Sequence, residues 1–165
     1  MTIGQSFLKE IEAEASTSRR LIERVPSDKG KWKPHPKSSA LGHLTQLVCR
    51  MPKIMSDIVK GIDLDLAAGP GYTFESTDVL LRDFDANVAE LSRTLSDATD
   101  TDFDGTWSVR SGADVYDTAG RQDALRNTIN HFVHHRGQLT VYLRLLDVPI
   151  PQLYGPTADE RSLPT

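Results

Sequence analysis

Three of the chain's five histidines fall in one short run, Asn130-His131-Phe132-Val133-His134-His135-Arg136-Gly137. On a helix His131 and His135 stand one turn apart and about 40° apart around the axis, which lets two imidazoles converge on one ion. His134 falls on the flank of that pair. With Phe132 and Leu139 as the centre of the buried face, His135 lies inside its edge and His131 on its margin, where ligands of a helical bundle project into the core. The competing reading of this spacing is a pair of ordinary helix-surface or interface imidazoles. Phe132, Val133 and His134 separate the two, so no carboxylate base of the HExxH kind is built into the motif. His43 is the remaining candidate ligand. It shares a stripe with Ala40, Leu47 and Ile54 and so borders an apolar face, a place where a single histidine is also a common core-rim residue. His35, between Pro34 and Pro36 in a basic stretch, reads as solvated.

Other candidate chemistry is weaker. Asp100-Thr101-Asp102-Phe103-Asp104-Gly105 opens like a calcium loop, but the position of the closing bidentate Glu is held by Ser111, which favours a solvated acidic turn. Cys49 sits among apolar neighbours with no histidine one turn away, a poor setting for a nucleophile. No Gly-rich phosphate loop and no GxSxG elbow occurs.

The elements that must carry these residues are helical. Leu8, Ile11, Ala15, Ile22 and Val25 recur at helical spacing over residues 5–25, before Pro26. Lys31 to Lys37, broken by two prolines, is an extended connector. Ser38 and Ser39 are expected as N-caps of a second helix with Leu41, Leu44, Val48, Met51, Met55 and Ile58 on its seam, kinked near Val48 by Pro52 and ended by Gly61. A third helix starts at 76–78 and runs to Asp97; a fourth spans Arg121 to Leu146, ahead of Pro149 and Pro151. Between them residues 98–120 read as a long irregular loop, with Trp107 to Val109 as a short extended piece. The fold expected is all-α, a four-helix bundle forming a single domain over residues 1–165. Ile150, Leu153 and Tyr154 make the tail too apolar for a loose end, so it should pack on the bundle or on a second subunit of a homodimer.

Composition narrows the function classes. The 19 Lys+Arg against 23 Asp+Glu give a net charge of -4, which disfavours nucleic acid and anionic membrane as partners. Lys9, Glu10, Glu12 and Glu14 stand where a signal peptide would be apolar, and no apolar run is long enough to span a bilayer. A single cysteine suits a reducing compartment, so a soluble, cytoplasmic protein is expected.

The run from His131 through Gln138-Leu139 and Val141-Tyr142-Leu143-Arg144-Leu145-Leu146 to Val148-Pro149-Ile150-Pro151 and Tyr154-Gly155-Pro156-Thr157-Ala158-Asp159-Glu160 resembles the DinB family of damage-inducible-type proteins. Trp32-Lys33-Pro34-His35-Pro36-Lys37-Ser38 followed by Leu41-Gly42 resembles that family's loop into helix two. The resemblance implies a four-helix bundle, commonly a homodimer, with a divalent metal (Zn, Ni or Fe) on three histidines, two of which map onto His131 and His135. It departs at Leu47, which stands where the family usually places its helix-two histidine. His43, one turn earlier, is the replacement candidate, although a shift of about 5.4 Å exceeds twice a Zn–N bond of roughly 2 Å. Related branches transfer low-molecular-weight thiols to electrophiles or isomerise substrates with a thiol cofactor. Two functions therefore stand side by side. One is a metal-dependent enzyme on His43, His131 and His135 that uses a small-molecule thiol, with Arg136, Gln138 and Tyr142 as orienting residues. The other is a non-catalytic, stress-related homodimeric binding protein that has lost a metal ligand.

Overall fold

Periodicity at three and four residues produces four long helices, α1 (Ile3–Ile22), α2 (Leu41–Lys60), α3 (Thr77–Asp97) and α4 (Arg121–Leu145). The computed structural model describes residues 1–69, 71, 72, 74 and 76–161. Thr2 and Gln5 form a reciprocal capping box at the start of α1, and Phe7, Ile11, Ala15 and Ser18 line its buried face. Ser76 caps α3 by accepting from the Val79 amide at 3.3 Å. Gly61, at φ 70°, closes α2 as its sequence position suggests.

The start of α2 differs from expectation. Its N-cap is Ala40, and neither Ser38 nor Ser39 caps it. Backbone partners replace the side chain: the Leu41 amide donates to the Trp32 carbonyl and the Gly42 amide to the Gly30 carbonyl, both at 2.9 Å. The helix runs unbroken through Pro52, and beside the carbonyl that this proline frees, Asn87 of α3 donates to the Cys49 carbonyl at 2.9 Å.

The stretch before α4, expected as irregular apart from an extended piece at Trp107 to Val109, holds a hairpin that joins a short strand ahead of α3 in a small mixed sheet. Its strands are β1 (Leu64–Asp65), β2 (Thr106–Ser111) and β3 (Asp114–Gly120), in the order β1-β2-β3. β1 is parallel to β2 and β3 antiparallel to it. Gly112, at φ 59°, turns the two-residue hairpin connection, where a side chain would be strained. Trp107 is the anchor: its ring is buried in the main core and its indole N–H donates to the Ile62 carbonyl at 2.8 Å. The acidic turn ahead of the sheet spends its carboxylates on separate amides. Asp100 accepts from the Ile3 amide and Asp102 from the Thr99 amide, both at 2.8 Å. Among the described residues these two do not converge as cation ligands do.

The tail lies on its own bundle. Ile150 joins Leu21, Val25, Leu41, Leu44, Leu139 and Leu143 in a second apolar cluster. Asp159 pairs with Arg144 and accepts from the Ile150 amide, while Glu160 pairs with Arg20 of α1 and with Arg24 just beyond it. Between these clamps Arg136 of α4, only 1% exposed, meets the Glu14 carboxylate at 2.5 Å, Thr17 Oγ1 at 3.0 Å, Ser18 Oγ at 3.1 Å and the Tyr154 hydroxyl at 2.6 Å. The Tyr154 hydroxyl in turn donates to Glu14. Arg136 therefore ties α4 to α1 and does not orient a ligand. Removing one partner strands a buried charge, so Glu14→Ala should cost about 3–5 kcal/mol in urea denaturation followed by circular dichroism. A loss below about 1 kcal/mol, the ordinary value for an exposed pair, would show that this contact is not the anchor.

Candidate functional site

On α4 the imidazoles of His131 and His135 face each other, with Nε2 to Nε2 at 2.7 Å and ring centroids 4.4 Å apart. Nδ1 of His135 lies 2.7 Å from Oε1 of Gln138, one turn further on. The amide oxygen only accepts, so the hydrogen-bond pattern assigns the proton to Nδ1 and leaves Nε2 of His135 as the acceptor, toward which Nε2–H of His131 donates. His134 sets its ring edge-on to His135 at 5.0 Å and stays outside the bonded pair. Burial, then the neighbouring His135 and His134, hold His131 below the usual histidine range.

His43 is elsewhere. Its ring stacks on Tyr72, centroids 3.4 Å apart, and burial together with Lys33 and Arg50 lowers its pKa. Among the described residues no group of three or more His, Cys, Asp or Glu side chains gathers where it could hold a metal ion. The structure thus brings His131 and His135 together and places His43 against Tyr72. Of the residues expected to orient ligands, Gln138 does touch the pair, Arg136 faces α1, and Tyr142 bonds the Ser39 carbonyl at 3.2 Å.

His131 also lines a cavity of about 1030 Å³. Its apolar wall comes from Leu47, Met51 and Ile54 of α2 with Trp107 and Val109 of β2. Leu47 therefore borders the space that His131 borders. Cys49 is part of the wall as well, its thiol driven upward by burial and then by Asp83 and Asp85, so it is no nucleophile at neutral pH. Sequence reasoning missed the polar members Asp83, Asn87, Asp117 and Asn127, which come from α3, β3 and α4 and share no motif. A stripe at three- and four-residue spacing through Leu80, Asp83 and Asn87 was the available signal, and it reads equally well as a helix edge.

The family model for DinB matches residues 1–162, and the chain belongs to the DinB family. The fold is shared with a DinB-like protein from Bacillus cereus (TM-score 0.71, 17% identity, 91% of this chain and 97% of that one). A DinB-like protein from Bacillus subtilis is similar at TM-score 0.67 and 17% identity, over 94% of this chain and 99% of that one. A mycothiol-dependent maleylpyruvate isomerase is more distant, with TM-score 0.55 and 12% identity over 84% of this chain and 63% of that one. No curated protein sequence matches the chain. No helix among the described residues is long and apolar enough to cross a membrane.

The lowered values of His131 and His43 fix a sign. Protonating either ring costs more in the folded chain than in the unfolded one, so the stability they support is complete above about pH 6.5 and is lost as pH falls through their lowered values. Urea midpoints measured between pH 7.5 and 5 should fall, and His131→Gln should flatten the slope. A slope that His131→Gln leaves unchanged or steepens would contradict this.

Proposed function

We propose that this chain is a small-molecule-binding member of the DinB family, whose ligand occupies the cavity beside the His131–His135 pair, and in which the three-histidine metal site implied by the resemblance is incomplete. The observation that carries this reading is Leu47, a side chain without a lone pair, in the wall of the cavity that His131 lines. Catalytic zinc sites rest on three protein ligands plus an open position. Here the chain offers two imidazoles, one with its tautomer set by Gln138, so the donor set does not fit such an ion. The proposal extends to a cytoplasmic, stress-related homodimer.

A second reading is a metal-dependent enzyme that uses a low-molecular-weight thiol on an electrophile, with Zn, Ni or Fe on His43, His131 and His135. The meeting of two Nε2 atoms favours it, while the likeness to a mycothiol-dependent maleylpyruvate isomerase, at 12% identity, speaks for the fold alone. It requires His43 to leave its stack on Tyr72.

Zinc and nickel titration of tag-free protein separates the two. Wild type should bind weakly, and Leu47→His should tighten zinc by about a hundredfold, equivalent to about 2.7 kcal/mol. Tight stoichiometric uptake by wild type that His43→Ala abolishes would overturn the proposal in favour of the enzyme.

A further inference from the structure

The charges around the cavity are not balanced. Among the described residues its lining holds two cations, Arg50 and Lys53, against four carboxylates, Asp57, Asp65, Asp83 and Asp117. Both cations are already engaged. Lys53 pairs with Asp57 and lies 3.8 Å from Glu90, while Arg50 donates to the Gly71 carbonyl at 3.1 Å and stands 5.4 Å over the Tyr72 ring. Asp65 is engaged too, by Arg110 at 2.8 Å and by the amides of Ala67 and Gly112 at 3.0 and 3.1 Å. The side-chain carboxylates of Asp83 and Asp117, among the described residues, make no ion pair and no hydrogen bond.

The neutral polar groups point the same way. Asn87 spends an amide N–H on the Cys49 carbonyl, which leaves its amide oxygen, an acceptor, for the cavity. The charge without a partner in the described lining is thus negative, set beside an apolar wall that includes the Trp107 ring.

We propose that the cavity takes a cationic organic molecule, an apolar body bearing a protonated amine, with Asp83 and Asp117 as the groups that select its charge. An anionic ligand would have to pull Lys53 or Arg50 from its present partners and would face two uncompensated carboxylates. A neutral one would gain nothing from the negative charge of either carboxylate. An ammonium group supplies donors and charge together, and the apolar wall takes the body. This inference rests on the reading of the cavity as a binding site.

Three probes with similar bodies test it: phenethylammonium, phenethyl alcohol and hydrocinnamate, titrated into the full chain at neutral pH and 0.15 M salt. At that ionic strength the net charge of the protein is screened beyond about 8 Å. Binding is read by calorimetry and by the Trp107 indole N–H resonance. The ammonium probe should bind at least tenfold tighter than the alcohol, with the carboxylate weakest. The double variant Asp83→Asn, Asp117→Asn, at two exposed positions, should remove that preference and leave the alcohol unchanged. Equal affinity for ammonium and alcohol overturns the charge selection while the cavity stands as a binding site. A preference that survives in the double variant overturns the assignment to these carboxylates. If no probe binds or moves the Trp107 resonance, the cavity reading fails and the inference falls with it.

Discussion

Burying the guanidinium of Arg136 is the constraint on which the rest of the molecule turns. Removing such a charge from water costs several kcal/mol, and the position is tolerable only because Glu14, Thr17, Ser18 and Tyr154 surround it with acceptors. The five donors of a guanidinium are fixed in a plane, so these partners set the rotation of α4 about its axis as well as its distance from α1. Residues of a helix advance by about 100° each, and with Arg136 turned to α1 its neighbour His135 is carried to the other side. There it meets His131 and Gln138, one turn before it and just under one turn after it. The two-imidazole pair and its place on the cavity therefore follow from an ion pair that touches neither.

The tail belongs to the same constraint. Tyr154 is exposed over most of its surface, yet its hydroxyl bridges Arg136 and Glu14, and its pKa is raised by burial of that hydroxyl and by its bond to Glu14. Arg144 beside Asp159, and the Gln152 amide with Arg20 beside Glu160, hold both tail carboxylates below the usual range. The motif Tyr154 to Glu160, which carries much of the resemblance to the family, thus fastens the last segment to α1 and α4 and places nothing in the cavity.

The helices were legible because each buries one face, and a face of three- and four-residue spacing is visible in a linear sequence. The limits of α3 and α4 were readable to within a residue for that reason. Of the sheet only the piece Trp107 to Val109 in β2 was, since β3 turns its large apolar side chains Val115 and Tyr116 outward, 60% and 66% exposed, and so shows no alternation toward a core. The cap of α2 was missed because backbone carbonyls of Gly30 and Trp32 do its work. At the site, the i,i+4 pair was legible, as was the odd residue Leu47. The stack of His43 on Tyr72 was not, because it joins a helix to a residue 29 positions away outside any regular element. The cavity itself draws on both the helices and the sheet, and no local pattern announces it.

The central claim is that the Arg136–Glu14 contact orients α4 so that His135 gives Nδ1–H to Gln138 and turns Nε2 toward His131. Long-range proton–nitrogen correlation spectra of the histidine rings, recorded where the rings are unprotonated, test it most directly. The account predicts the Nδ1–H tautomer for His135 in the wild type, and its conversion to the Nε2–H form in folded Glu14→Gln protein. An Nε2–H tautomer at His135 in the wild type, or a tautomer indifferent to Glu14→Gln, would contradict it.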